Sequence, residues 1–172
     1  VAHYVKEGSA LDAVAFERGN SVYFPDRVIP MLPERLSNGL CSLNPDEDRN
    51  CLAVHIWIDA QGVMKRYKFV RGLMKSRYRF TYNDLQAAYD TKSSHPLRVS
   101  IIEPLYAAYK ALARERDKRG ALALALPEYH IVFDASGNVS NIAPRVHLKS
   151  HQLIESFMIA ANVAAADLLL KH

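Results

Sequence analysis

Cysteine is scarce. Cys41 and Cys51 are the only two, both in apolar surroundings, with no Cys-x-x-Cys spacing and no metal-type pairing around them. That argues against a disulfide scaffold or a thiolate metal site, and the pair read as reduced packing thiols. Long apolar runs are missing too. No uninterrupted stretch approaches the roughly 18 residues that a membrane span needs, and the first residues lack a signal-peptide layout. The expected compartment is the cytoplasm, with no membrane partner. There is no Gly-x-Ser-x-Gly elbow, so spacing assembles no Ser-His-Asp chemistry. His147 and His151 stand i, i+4, but neither a His-Glu-x-x-His motif nor a cysteine accompanies them, so they read as surface histidines. No internal repeat and no low-complexity tract occurs.

What is present is ordinary globular composition: 172 residues, 49% hydrophobic and 23% charged, enough for one domain with a real core. A formal charge of +4 and a pI near 9.1 lean toward a polyanionic partner. The chain opens at Val1 without Met, and residues 1–5 read as a strand entering a core, so the sequence reads as a piece of something longer.

Patterning predicts an α+β chain of mixed strands and helices. Ser9 caps a short helix over residues 11–18 and Gly19 stops it. Pro25, Pro30 and Pro33 keep residues 23–32 extended and turning, which presents Tyr23 on a stiffened segment. Ser37, Asn38 and Gly39 supply cap and turn chemistry before Leu40, and Pro45 closes the unit. Leu52, Val54, Ile56 and Ile58 alternate with Ala53, His55 and Trp57 as a two-faced strand, residues 59–62 turn it, and residues 63–70 return. Thr81 and Asp84 approximate a capping box, with Tyr82 at the start of a helix to about residue 89. Residues 92–96 read as a linker. A helix follows over residues 97–119, with a stripe of Val99, Ile102, Leu105, Tyr106, Tyr109 and Leu112, a kink at Pro104 and a stop at Gly120. Residues 121–126, 129–133 and 139–142 read as strands. The last helix starts near Ser150, with an apolar face of Ile154, Phe157, Met158, Ala161, Ala165, Leu168 and Leu169.

The stretch over residues 21–49, SVYFPDRVIPMLPERLSNGLCSLNPDEDR, carries the identification. Its order of Val-Ile-Pro-Met-Leu-Pro-Glu, Leu-Ser, Leu-Cys-Ser-Leu and a closing Asp-Arg closely resembles the signature of the ribonuclease II and ribonuclease R family, the RNB-domain exoribonucleases. His3-Tyr4-Val5 before Gly8-Ser9, Leu11-Asp12, Arg18-Gly19, Thr81-Tyr82, Leu153-Ile154-Glu155 and Ala161-Asn162 match in register, so the resemblance runs nearly end to end. It implies that residues 1–172 are one partial RNB domain: the central segment of a hydrolytic, processive 3′-to-5′ exoribonuclease that degrades single-stranded RNA to nucleoside 5′-monophosphates. The alternative is a non-catalytic single-stranded RNA-binding or interaction module that kept the signature. A core fragment without appreciable binding is the blandest reading.

The same resemblance implies magnesium in the parent enzyme, held by an Asp-x5-Asp-x-Asp-Asp cluster that the family carries upstream of this chain; the family's arginine-rich motif lies downstream. No catalytic and no metal residue is therefore carried over, and this chain alone is expected to be inactive. Asp46-Glu47-Asp48 is the densest acidic group, but three consecutive acids on an irregular segment diverge, and it reads as a solvated turn. For RNA binding, the resemblance implies a base stacked on Tyr23 near the entrance, and Tyr82 with Glu155 near the ribose close to the cleavage end. Arg77 and Arg79 are the cations beside Tyr82. The ribbon over residues 65–82 mixes cations with aromatics, as single-strand binding requires. It reads equally as a strand whose Tyr67 and Phe69 are core and whose cations are solvated. Glu155 could accept from a 2′-hydroxyl or simply complement a helix N-terminus. Asn162, seven residues on, either caps that site or satisfies a buried carbonyl. Two departures from the family stand out: Ala123 and Ala125 where relatives alternate acids with leucine, and Ser156 where a second acid often follows the glutamate.

Overall fold

The computed structural model describes residues 1–91, 95–121 and 128–171. They divide into two compact units, one of Val1–Asn50, Leu73–Tyr78 and Glu128–Pro144, the other of Cys51–Gly72, Arg79–Pro127 and Arg145–His172. Helices and three two-stranded sheets alternate along the chain, the expected α+β class.

In the first unit, helix α1 (Ala10–Arg18) starts as its caps dictate: Ser9 Oγ accepts from Asp12 N–H at 3.2 Å, and Gly19 closes it at φ 72°. Strands β1 (Val22–Tyr23) and β2 (Val28–Ile29) pair antiparallel, Tyr23 opposite Val28, so the proline-stiffened loop is a tight hairpin. Arg18 Nη1 donates to Pro30 O at 2.7 Å and Met31 N–H to Ser21 Oγ at 2.9 Å, which ties the loop to the end of α1.

Two expectations in this unit are corrected. Residues 1–5 form no strand. They turn back on themselves, with Tyr4 and Val5 N–H both donating to Val1 O at 2.8 and 3.1 Å, because β-propensity yields a strand only where a partner supplies a ladder. Ser37, Asn38 and Gly39 are not a cap but the interior of a π-helical turn, Arg35–Leu40, in which Cys41 N–H reaches Leu36 O at 2.8 Å. Pro33 starts that turn as an acceptor for Leu36 and Ser37, where its missing N–H costs nothing.

Strands β3 (Asp48–Ile58) and β4 (Met64–Lys75) form a hairpin longer at its open end than patterning suggested. Its turn is built on Asp59, whose Oδ1 accepts from Gln61 and Val63 N–H at 3.0 and 2.9 Å. The Lys65 bond and these N–H groups hold the Asp59 carboxyl below its ordinary value of 3.8. The hairpin of β5 (Tyr129–Phe133) and β6 (Val139–Pro144) repeats the device with Asp134, whose Oδ1 takes Ser136 and Asn138 N–H, both at 2.9 Å. Leu52, expected among the inward residues of β3, is 70% exposed because the alternation slips between Ala53 and Val54.

The second unit holds the core. Helices α2 (Tyr82–Asp90), α3 (Glu103–Lys118) and α4 (Lys149–Leu170) enclose Leu85, Ala88, Ile102, Tyr106, Tyr109 and Leu153. Pro104 does not kink a long helix. It sits in the first turn of α3, after a separate π-helical turn Arg98–Ile102, where no N–H of its own is needed; Val99 consequently leaves the stripe and is 75% exposed.

On α4 the buried line is Ser150, Leu153, Ser156 and Ala164, whereas Met158 and Leu169 of the expected face are exposed. The serines can be buried because their hydroxyls are bonded, Ser150 Oγ to Tyr82 O and Ser156 Oγ to Gln152 O. By length and composition α4 could cross a membrane, with a mean hydropathy of 1.7. Here it packs against α2 and α3, and Tyr67 of β4 bonds to its Asp167. The expected linker over residues 92–96 lies partly, and the strand over residues 121–126 almost wholly, outside the described residues, as do Ala123 and Ala125.

Gly62 makes the turn of β3–β4 fit against α3. It holds φ 91°, and a Cβ there would stand 2.1 Å from Ala111 O and 2.4 Å from Ala111 C, both backbone. Gly62→Ala is expected to destabilise the protein by about 2–4 kcal/mol, since neither the turn nor a helix backbone can yield cheaply. Urea unfolding of the two proteins measures this, and an unchanged midpoint would mean that α3 does not seat on the turn.

Candidate nucleic-acid interface

Thr81 fixes Tyr82. Its Oγ1 accepts from Asp84 N–H at 3.1 Å and donates to Asp84 Oδ2 at 2.7 Å, so the capping box forms and Tyr82 opens α2. From the other side Ser150 Oγ donates to Tyr82 O at 2.9 Å. The start of α4 is thus bonded to the start of α2, and the side chains around that joint form one connected group. The His151 ring stacks on Tyr82 with centroids 4.1 Å apart and planes at 20°. His147 meets His151 edge-on at 5.4 Å, and its Nε2 lies 3.1 Å from Glu155 Oε1. A carboxylate can only accept, so the imidazole donates. Tyr82, His147 and Glu155 all stay exposed to water.

Tyr82 and Glu155 therefore share one site, bridged by two histidines that sequence reasoning left as surface residues. The signal was available: His147, His151 and Glu155 recur at i, i+4 and i+8. Spacing alone does not bring the three together, because His147 lies before the start of α4. The chain does bend there, yet the His147 ring still reaches Glu155, and His151 Nδ1 accepts from Leu148 N–H at 3.1 Å. Leucine cannot reciprocate, so this is half of a reciprocal cap. Asn162, on the same helix, is also exposed, which leaves it no buried carbonyl to satisfy.

The remaining candidates are distributed between the units. Tyr23 and Arg77 belong to the first, Tyr82, Arg79 and Glu155 to the second. Tyr23 is 77% exposed on β1. Arg77 is exposed and lies 3.9 Å from Asp46, while Arg79 is exposed with no carboxylate partner among the described residues. In the ribbon, Tyr67 and Phe69 are half-buried, and Tyr67 OH donates to Asp167 at 2.7 Å. That bond raises the Tyr67 phenol above its ordinary 10, and Lys171 holds Asp167 below its ordinary 3.8. The ribbon's two middle aromatics thus serve packing, while its cations, Tyr78 and Tyr82 are exposed.

Magnesium, implied by the resemblance, finds no ligand set here. Among the described residues no three His, Cys, Asp or Glu side chains gather as a possible metal site. Asp46, Glu47 and Asp48 are taken one by one by Arg77, Arg49 and Lys75. Asp46 holds φ 58°, which turns the chain and separates the carboxylates.

Mixed helices and small hairpins, with a tyrosine, two histidines and a glutamate at the junction of two helix starts, define an α+β fold with one connected polar group. The chain belongs to the RNB domain family, whose profile matches residues 1–172. It is 42% identical over 175 residues to ribonuclease R of Vibrio parahaemolyticus, covering 99% of this chain and 21% of that protein. Against ribonuclease R of Escherichia coli K12 the identity is 40% over 170 residues, with 96% and 21% covered. The solved structure of Mycoplasma genitalium RNase R in complex with ribose-methylated single-stranded RNA superposes at a TM-score of 0.92 and 33% identity, covering 99% of this chain and 27% of that one. The chain spans about a fifth of the length of these curated relatives.

His151→Ala removes the acceptor for Leu148 N–H and the stack on Tyr82 together. A loss of about 1 kcal/mol in urea unfolding is expected, typical of a deleted cap. His151→Phe keeps a ring against Tyr82 and should recover part of it. Equal stability of all three proteins would mean that neither contact persists in solution.

Proposed function

We propose that this chain is the central segment of the catalytic domain of a hydrolytic, magnesium-dependent, processive 3′-to-5′ exoribonuclease. Its substrate is single-stranded RNA and its products are nucleoside 5′-monophosphates. The segment supplies RNA path and scaffold, and the metal ligands belong to other parts of the protein. In this reading Tyr82 and Glu155 frame the ribose at the cleavage end. Tyr23 stacks a base near the entrance, and Arg77 and Arg79 meet phosphates. The compartment is the cytoplasm.

The observation that carries the reading is the Tyr82–His151–His147–Glu155 group. The His147 bond occupies Oε1 of Glu155 and steadies the carboxylate, leaving Oε2 to accept from a sugar hydroxyl. An exposed ion pair of this kind contributes little to stability, so stability alone is a poor reason for the arrangement. The RNA-bound Mycoplasma relative supports RNA as the partner.

Glu155→Ala in the full-length protein tests the assignment. Removing an acceptor for the 2′-hydroxyl should lower the preference for RNA over a matched deoxy substrate by about tenfold to a hundredfold, the weight of a hydrogen bond to a charged group. Equal slowing on both substrates would make Glu155 structural. Incubated alone with single-stranded RNA and magnesium, the chain is expected to release no mononucleotides; sustained release that EDTA abolishes would mean that the active site has been mislocated. A full-length protein that binds RNA and never cleaves it would return the non-catalytic module to first place.

A further inference from the structure

The ribose site leaves one face of the β3–β4 hairpin unused. Val54, Ile56 and Ile58 line a cavity of about 370 Å³ with Ala108, Leu112 and Phe157 of α3 and α4. Strand alternation then sends His55 and Trp57 to the opposite face, and both are exposed. On β4, Tyr67 and Phe69 take the half-buried side, and Arg66 and Lys68 are exposed.

These outward residues interact. The Arg66 guanidinium lies 3.9 Å from the Trp57 ring centroid, and the His55 ring stands 6.1 Å from that indole at 31°. Trp57 nevertheless stays 40% exposed. The charges on β4 itself are all positive. Lys65 and Lys75, toward the two ends of the strand, are paired with Asp59 and Asp48, at 2.9 and 3.3 Å. Between them Arg66, Lys68 and Arg71 have no carboxylate partner among the described residues.

We propose that this face is a second contact site for single-stranded nucleic acid, separate from the ribose site: one base packs on Trp57 and His55, and neighbouring phosphates meet Arg66 and Lys68. Charge complementarity selects the occupant. A single strand brings flat rings and one negative charge per nucleotide together, which suits exposed aromatics among unpaired cations. A guanidinium laid on an indole is already held flat, so little freedom is lost when a phosphate or a base joins it. The carboxylate assigned to the sugar hydroxyl, Glu155, belongs to the other site, so this shelf is expected to bind RNA and DNA alike. The proposal rests on the reading that a single strand is the partner, but not on the roles of Tyr82 and Glu155.

Trp57 is the one tryptophan in the chain, so its fluorescence reports on this face alone. The chain is titrated with an oligouridylate of about fifteen nucleotides and with the matched deoxy oligomer, near the upper site size of a single-strand groove. Saturable quenching by both is expected, with comparable affinity and strong salt dependence. Replacing Arg66 and Lys68 together by Ala should flatten the slope of log affinity against log salt by about 1.4, at roughly 0.7 per phosphate contact. Anisotropy of a labelled oligomer follows Trp57→Leu, which should bind about tenfold more weakly, while Trp57→Phe recovers much of the loss and shows that the fold is intact. Binding by anisotropy without quenching would put the strand elsewhere and overturn the proposal. So would the absence of binding at low salt, which would leave the face to a protein partner. Quenching by RNA alone, lost in Glu155→Ala, would mean that the signal travels from the ribose site, and also overturns it. Quenching that survives Glu155→Ala while RNA preference in the full-length protein is unaffected would sink the ribose assignment and leave this site standing.

Discussion

The position of every residue in the Tyr82–His151–His147–Glu155 cluster depends on a joint around Ser150, which is 0% exposed. Its N–H donates to Gln86 Oε1 at 3.0 Å, its hydroxyl donates to Tyr82 O at 2.9 Å, and the same Gln86 oxygen accepts from Tyr106 OH at 3.2 Å. The first N–H groups of a helix have no partner within it. At α4 one of these orphans is satisfied from α2, and the acceptor that does so is shared with α3. Rotating α4 would strand several buried polar groups, each at about 1–3 kcal/mol. Such a joint has few alternative settings, and it fixes how far Glu155, just over one turn along α4, stands from Tyr82.

The joint is built without formal charge, which sets its response to pH. Tyr106 meets Gln86, and Tyr109 OH donates to Gln152 Oε1 at 2.6 Å, so both buried phenols pair with neutral amides. Burial, then the nearby Asp90 carboxylate, pushes the Tyr106 phenol up to about 12. It therefore remains a donor throughout the neutral range. The titratable side chains of the cluster, His147, His151 and Glu155, lie outside this frame.

What could be read from the sequence was what local chemistry decides. Ser9, Gly19, Thr81 and the Asp59 turn each act within a few residues, and each element began or ended where they indicated. The signature loop and the family followed from an ordered set of residues. What escaped was set by distant partners. The strand expected over residues 1–5 had no ladder to join. The π-helical turns follow Pro33 and precede Pro104, and no local periodicity distinguishes a bond five residues back from one four back. On α4, Ser150 and Ser156 count as polar in any hydrophobic pattern, yet they are the buried line, because the hydroxyl partners come from Tyr82 and from the helix itself. His147 and His151 escaped for the same reason: spacing aligned them with Glu155, but only the bend before α4 decides that they touch.

Charge shows the same division between quantity and placement. A net charge of +4 identifies a class of partner but not a surface. Lys65, Lys75, Arg77 and Lys171 already answer carboxylates nearby, and an arriving phosphate would have to compete for them. Arg66, Lys68, Arg71 and Arg79 have no such prior partner among the described residues. Likewise two aromatics of the ribbon, Tyr67 and Phe69, are committed to packing, whereas Trp57 on the neighbouring strand keeps 40% of its surface in water. Composition located the binding chemistry on β4; hydrogen bonding and strand alternation divide it between the cations of β4 and the aromatic of β3. On the hairpin those two sets meet where the Arg66 guanidinium lies over the Trp57 ring.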